Sequence, residues 1–232
     1  MNVVPQQKLV LSENQKMANA LRAEFAARGI YCVNMLSSPG SGKTTLLEKT
    51  LAGFGGDARV AVLTGDLQTE NDAKRLAQYG FPVQQITTGG VCHLDAGMIA
   101  RALDAWDLCG IDLLVIENVG NLVCPSSYDL GENVRVALLS VTEGVDKPLK
   151  YPATFVKAQL LVLTKTDLLP YVPFDMEEAR RNARMVHPEI ELLEVSSLTG
   201  EGMDAWQAWL AARMDAWRRD AHVPFVDMGH PA

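Results

Sequence analysis

The chain has 232 residues, 48% of them hydrophobic and 21% charged, proportions that support a globular core and exclude extensive disorder. Lys plus Arg is 21 and Asp plus Glu is 28, a formal net charge of −7 that disfavours a polyanion, so nucleic acid is not an expected partner. No stretch approaches the roughly 20 apolar residues of a membrane helix and the first ten lack a leader's pattern, so a soluble cytoplasmic protein with no membrane contact is expected.

In chain order, Ser12-Glu13-Asn14-Gln15 has the form of a capping box, and Met17, Ala20, Leu21 and Phe25 follow at helical spacing until Gly29; this predicts a helix over 12–28. Short apolar runs then occupy 30–36, 60–63, 83–86, 113–116, 134–141, 160–163 and 190–195, and read as strands buried on both faces. Helix-forming segments lie between or after them, at 44–52, 71–78, 95–105, 175–186 and 203–217. Such alternation predicts an α/β fold, a mostly parallel twisted sheet flanked by helices. Without repeats or low-complexity tracts, one domain is expected over 1–217, with 218–232 as a flexible C-terminal tail. Trp206, Trp209 and Trp217 form an apolar stripe with Met203 and Leu210 on the last helix, which reads as packing.

In parallel sheets, ligands sit beyond the carboxyl ends of the strands. After the first run comes Ser37-Ser38-Pro39-Gly40-Ser41-Gly42-Lys43-Thr44, the G-x-x-x-x-G-K-[ST] phosphate-loop pattern with Ser37 in place of the first Gly. Gly40, Ser41 and Gly42 permit backbone N–H groups to turn toward phosphate oxygens, and the helix opening at Lys43, Thr44 and Thr45 adds its positive end. Lys43 would neutralise the β- and γ-phosphates and Thr44 would offer a hydroxyl to Mg²⁺.

The run at 160–163 leads into Thr164-Lys165-Thr166-Asp167, similar to the guanine-reading N/T-K-x-D element of GTPases. A carboxylate at Asp167 can accept from the ring N1–H and exocyclic amine of guanine, whereas adenine would leave it unpaired. Lys165 can lay its stem along the base, and Ser196-Ser197-Leu198 after the last strand looks like the supporting loop. Two further acidic residues close strands, Asp66 and Glu117, and hard carboxylate oxygens there suit Mg²⁺. Asp66 could instead order the attacking water, and Asp72 reads as a helix cap or a mobile-loop residue. No Gln or arginine finger is evident for hydrolysis, so slow intrinsic turnover of GTP to GDP is expected.

Cys92-His93 follows a strand, and Cys124 lies shortly after Glu117. Thiolate and imidazole favour Zn²⁺ or Ni²⁺, and three ligands per chain imply an open site or one shared between two chains. An isolated Cys-His pair is more often structural, but its place beside Glu117 gives a nucleotide a physical route to bias metal affinity. Cys32 and Cys109 read as buried and inert; His187, His222 and His230, with no Cys or His neighbours, read as surface or packing residues.

Together SSPGSGKTTLL (37–47), GDLQTENDA (65–73), CHLD (92–95), IENVGNLVCP (116–125), YDLGE (128–132), LLSVTEGVDKPLK (139–150) and TKTD resemble the hydrogenase nickel-incorporation GTPases of the HypB family. The resemblance runs from about 12 to 210. It departs from most GTPases where Glu117 and Gly120 give E-x-x-G in place of D-x-x-G. It implies a P-loop NTPase of the SIMIBI type with GTP/GDP and Mg²⁺ as cofactors, a homodimer, and a Ni²⁺ or Zn²⁺ site at Cys92, His93 and Cys124. It also implies a role in loading nickel into the large subunit of nickel-iron hydrogenase, with the nickel chaperone HypA as a partner. The N-terminal cysteine motif and His-rich tract of some members are absent, which weakens any expectation of nickel storage. The loop 143–152, with Lys147 and Lys150, resembles a segment near nucleotide and dimer interface. Rival readings are a urease-type accessory GTPase, which typically has Cys-Pro-His where this chain has Val91-Cys92-His93, a nucleotide-gated scaffold with incidental hydrolysis, and a small-molecule kinase.

Overall fold

The computed structural model describes residues 6–54, 59–66 and 71–221. Seven strands, β1 (Tyr31–Ser37), β2 (Val60–Asp66), β3 (Val83–Thr87), β4 (Leu113–Glu117), β5 (Val134–Ser140), β6 (Leu160–Thr164) and β7 (Glu191–Val195), form one sheet in the order β3-β2-β4-β1-β5-β6-β7. Every neighbouring pair is parallel, as the alternation of apolar runs and helices requires. β1, β4, β5 and β6 are buried throughout. The edge strands β3 and β7 are only half-buried, so the expectation of burial on both faces fails there for want of a second neighbour.

Successive strand residues face opposite sides. Tyr31, Val33 and Met35 meet α2 (Lys43–Phe54) and α8 (Met203–Ala221) through Leu46, Leu51, Trp206 and Leu210. Cys32, Leu63 and Ile116 meet α1 (Gln6–Arg28) and α4 (Ala96–Asp104) through Leu21, Phe25 and Ile99. A third cluster joins Leu139 and Leu161 to α6 (Pro152–Phe155) and α7 (Met176–Val186) through Phe155 and Ala183. The tryptophan stripe is core packing: Trp206 is buried and its indole N–H donates to Thr50 Oγ1 at 2.8 Å.

Three expectations change. The first helix begins at Gln6, with Ser12 inside it, because no Gly or Pro between Gln6 and Ser12 interrupts the helical run. The last helix continues through Ala221, so residues 218–221 are not tail. Arg218 is buried, its guanidinium 3.0 Å from Asp112, and Asp112 also receives Arg59. Cys109 is exposed: Leu108 takes the core position, and Ile111 N–H closes a turn onto its carbonyl at 3.1 Å, leaving the next side chain outside. Cys32 is buried, and burial pushes its thiol pKa well up. His187 packs through Nδ1 on the Ala158 carbonyl at 2.9 Å; His222 and His230 lie outside the described residues. No described helix is long and apolar enough to cross a membrane.

Candidate functional site

The carboxyl ends of β1, β2 and β4 open on a cavity of about 420 Å³. The register sets Glu117 at the end of β4 beside Met35 of β1 and Thr64 of β2. Gly40 and Gly42 hold positive φ, 74° and 93°, which residues with a Cβ rarely adopt, so the turn from β1 into α2 depends on them. Lys43 is 7% exposed and its ammonium donates to Ser37 Oγ at 2.8 Å. Ser37, the departure from the phosphate-loop pattern, thus holds this cation. Burial lowers the Lys43 pKa, against the opposing pull of Glu117, Asp72 and Glu143.

Thr44 Oγ1 donates to Glu117 Oε1 at 2.7 Å, and Glu117 Oε2 is buried with no hydrogen-bond partner. Burial pushes the Glu117 carboxyl up to about 7, although Lys43 and the Thr44 hydroxyl both favour its charged form. A hydroxyl, a carboxylate with an orphaned oxygen, and Asp66 in the same cavity form an oxygen donor set of the kind Mg²⁺ takes. Thr45 and Asp72 also line the cavity, Asp72 from the first turn of α3 (Asn71–Ala77) and within 3.5 Å of Arg75. Gly120 lies against the phosphate loop, since a Cβ there would stand 2.9 Å from Pro39 Cα.

The TKxD segment is tied to the same loop. Thr164 Oγ1 donates to the Ser41 carbonyl at 2.7 Å, and Lys165, at φ 61°, donates through Nζ to the Gly40 carbonyl at 2.7 Å. Ser196 Oγ donates to Asp167 Oδ1 at 2.5 Å and accepts Thr199 N–H at 3.1 Å. Ser197 follows, half-buried, and Leu198 is exposed.

Sequence reasoning left Glu143 and Lys147 without a role. Glu143 Oε1 accepts from Ser41 Oγ at 2.6 Å and from Ser140 N–H at 3.1 Å, and Lys147 Nζ reaches Ser38 Oγ at 3.3 Å. Both therefore brace the phosphate loop, Lys147 from the start of α5 (Lys147–Lys150). The signal in sequence was a Glu-x-x-x-Lys pair, shared by any solvated helix.

Beyond β3 and β4, Cys92, His93 and Cys124 bring ligand atoms within 4.8 Å of one another. The two sulfurs are 2.6 Å apart, and each Cys is half-buried. The hydrogen bond from the Cys92 thiol to Cys124 raises the Cys92 pKa, and burial lowers that of His93. The His93 ring stacks on Tyr128, centroids 4.0 Å apart, and its Nδ1 is buried without a hydrogen-bond partner. Two thiols and an orphaned imidazole nitrogen suit a soft or borderline divalent ion. Asp95 is the N-cap of α4, accepting Met98 N–H at 2.7 Å, so CHLD couples the ligand pair to a helix start.

The nucleotide-binding domain described as CobW/HypB/UreG matches residues 32–194. The chain belongs to that family. It is 54% identical over 201 residues to the hydrogenase maturation factor HypB of Escherichia coli (strain K12), covering 87% of this chain and 69% of that one. The crystal structure of HypB from Helicobacter pylori in complex with nickel superposes with a TM-score of 0.84 at 39% identity, over 88% of this chain and 96% of the other. HypB from Archaeoglobus fulgidus follows at 0.81 and 38%, over 88% and 99%. Within this CobW/HypB/UreG chain, the phosphate loop, Glu117 and the Cys-His triad all lie at the carboxyl ends of the strands, joined through residues 117–124.

Proposed function

We propose that the chain is a GTP-hydrolysing metallochaperone that carries Ni²⁺ or Zn²⁺ at Cys92, His93 and Cys124 and assists nickel insertion into the large subunit of nickel-iron hydrogenase. The observation that carries this reading is the continuity of one short loop: it starts at Glu117, bonded to the phosphate-loop Thr44, and ends at Cys124, 2.6 Å from Cys92. The name of the Escherichia coli relative, hydrogenase maturation factor, and the nickel complex of the Helicobacter pylori relative support the cargo and the pathway.

In this reading residues 1–217, with the last helix carried on to 221, are one P-loop GTPase domain. The N–H groups of Gly40, Ser41 and Gly42 and the Lys43 ammonium bind the β- and γ-phosphates, with Thr45 beside them. Thr164, Lys165 and Asp167 read guanine, Ser196 orients the Asp167 carboxylate, and Ser197 and Leu198 border the base. Thr44, Asp66 and Glu117 would hold Mg²⁺, which neutralises phosphate charge when bound. Lys43 stabilises charge developing on the γ-phosphate, and Asp66 orders the attacking water or completes the Mg²⁺ shell. No glutamine is among the described residues lining the cavity, and its arginine, Arg75, is held by Glu48 at 2.7 Å. With that arginine engaged, slow intrinsic turnover is expected until a partner or a second copy supplies a further positive charge. The expected partners are a second copy of this chain, the nickel chaperone HypA and the hydrogenase large subunit, met in the cytoplasm.

Calorimetric titration of Ni²⁺ and Zn²⁺ into the GDP-bound and GTP-analogue-bound protein tests the reading, with Cys92→Ala and Cys124→Ala as controls. Binding that needs both cysteines and changes with nucleotide is expected. Binding indifferent to either would make the chain a GTP-dependent scaffold, and stoichiometry separates a private site from a shared one.

A further inference from the structure

A closed path of buried polar groups runs behind the Cys-His triad. Asn118, next to Glu117, accepts Leu94 N–H at 3.3 Å and Val119 N–H at 2.9 Å on its side-chain oxygen, and its amide donates to Asn34 Oδ1 at 3.3 Å. Asn34 Nδ2 donates to Glu132 Oε1 at 3.2 Å, and Arg135 Nε donates to the same oxygen. Arg135 then donates to the Ser126 carbonyl at 3.2 Å and the Tyr128 carbonyl at 2.7 Å. Ser126 belongs to the 3-10 turn Cys124–Ser127, and the Tyr128 ring stacks on His93, the residue before Leu94. The path leaves one ligand loop and returns through the other.

Such a path is costly. Asn34, Asn118, Glu132 and Arg135 are 0, 1, 6 and 8% exposed, and Asn34 lies mid-strand on the face that Cys32 presents to an apolar cluster. A Val there would bury more cheaply. The order of donors is also forced. Two backbone N–H groups fix the Asn118 oxygen, its NH₂ then fixes the Asn34 oxygen, and the Asn34 NH₂ must face a carboxylate. No amide in the series can turn over alone without setting like groups against each other.

The path touches the nucleotide cavity at one place. Asn118 lies between Glu117, which holds the Thr44 hydroxyl, and Gly120, which abuts Pro39. Asn34, Glu132 and Arg135 belong to neither the cavity lining nor the ligand triad. A shift of residues 117–120 must carry Asn118 with it, and through its bonds the backbone at Leu94 on one side and at Ser126 and Tyr128 on the other.

We propose that Asn34, Glu132 and Arg135 are positioning residues, a relay pivoting on Asn118 that transmits the nucleotide state to the spacing of Cys92, His93 and Cys124. The relay rests on the nucleotide and metal reading given above and names how its two sites communicate. It fixes the geometry of both ligand loops together, so nucleotide alters metal affinity without touching a ligand.

The test is a Ni²⁺ titration of the full chain, GDP-bound and bound to a non-hydrolysable GTP analogue, followed by thiolate-to-nickel charge-transfer absorption. Wild type is compared with Asn34→Ala and with the paired replacement Glu132→Gln/Arg135→Met, which removes both buried charges together and so preserves folding if Asn34→Ala does not. The nickel dissociation constants of wild type in the two states should differ about tenfold, within the usual range of allosteric coupling. In the variants the ratio should fall below about twofold while stoichiometry and nucleotide affinity stay within about threefold. A folded variant that keeps the wild-type ratio, or one that loses nickel equally in both states without loss of the ratio, overturns the relay alone. A wild type with equal constants in both states overturns the relay and the coupled reading beneath it.

Discussion

Gly120 lies directly against Pro39: a Cβ at Gly120 would come within 2.9 Å of Pro39 Cα and 3.1 Å of its nitrogen. The loop that leads to Cys124 therefore packs on the loop proposed to hold phosphate, backbone against backbone, with no side chain able to yield. Gly120→Ala should displace both. Nucleotide affinity should fall about tenfold and nickel affinity should change with it, while Tm drops by only a few degrees. Fluorescent-GDP titration alongside a nickel titration checks this, and two unchanged affinities would mean that the contact is slack.

Lys43 is buried against Ser37 and faces the cavity. Lys43→Ala should weaken GDP and GTP binding at least about 100-fold, about 2.8 kcal/mol. The fold should persist, because the substitution removes a cation that is costly to bury and gives up one hydrogen bond, to the Ser37 hydroxyl. Equilibrium binding with circular dichroism of the same samples separates lost affinity from lost structure.

Asp167 receives the Ser196 hydroxyl at 2.5 Å, and its carboxylate is the proposed reader of guanine. Asp167→Asn should shift preference from guanine toward xanthine nucleotides by about two orders of magnitude, since an amide donates where the carboxylate accepted. Ser196→Ala should weaken GTP a few-fold and leave the preference intact. Competition between GTP and xanthosine triphosphate reads both outcomes.

The loop carrying Asp129 and Glu132 is tied to the first helix. Burial by itself would raise the Asp129 carboxyl pKa, but Arg22, at 2.6 Å, with Gln15 and the Gly131 N–H holds it well below the usual carboxylate range. Its folded pKa lies under its unfolded value, so the stabilisation is present above about pH 4 and is lost as pH falls through the folded value. Asp129→Asn should therefore cost about 1–2 kcal/mol at pH 7 and progressively less in acid. Thermal unfolding of both proteins from pH 7 to pH 3 should show converging curves; a constant gap would mean that the charge does not matter.

Much of the fold was legible because its signals are local. The runs at 113–116 and 160–163 are continuous and apolar, as expected of strands with a neighbour on each side and both faces covered. The phosphate loop carries its own geometry in Gly40 and Gly42. Capping and termini were less legible. Ser12 looked like a helix start although the helix was already under way, and Arg218 looked like a tail residue until Asp112 supplied a buried counter-charge. Cys109 looked like the other buried thiol, yet one residue of turn set it outside.

By itself, then, the sequence determined the strand-helix alternation, the phosphate loop, the TKxD segment and the soft character of the Cys-His residues, because each is written in adjacent positions. The tertiary structure alone decided which of these meet. Cys92 faces Cys124 across 32 positions, Ser41 finds Glu143 across 102, and Asn34 joins Asn118 across 84. Those pairings depend on the strand order of the sheet, which sets β4 between β2 and β1 and brings loops distant in the chain together at the carboxyl ends of the strands. Asn34 passed unnoticed inside a run read as apolar, since a buried amide is explained only by the partners that satisfy it.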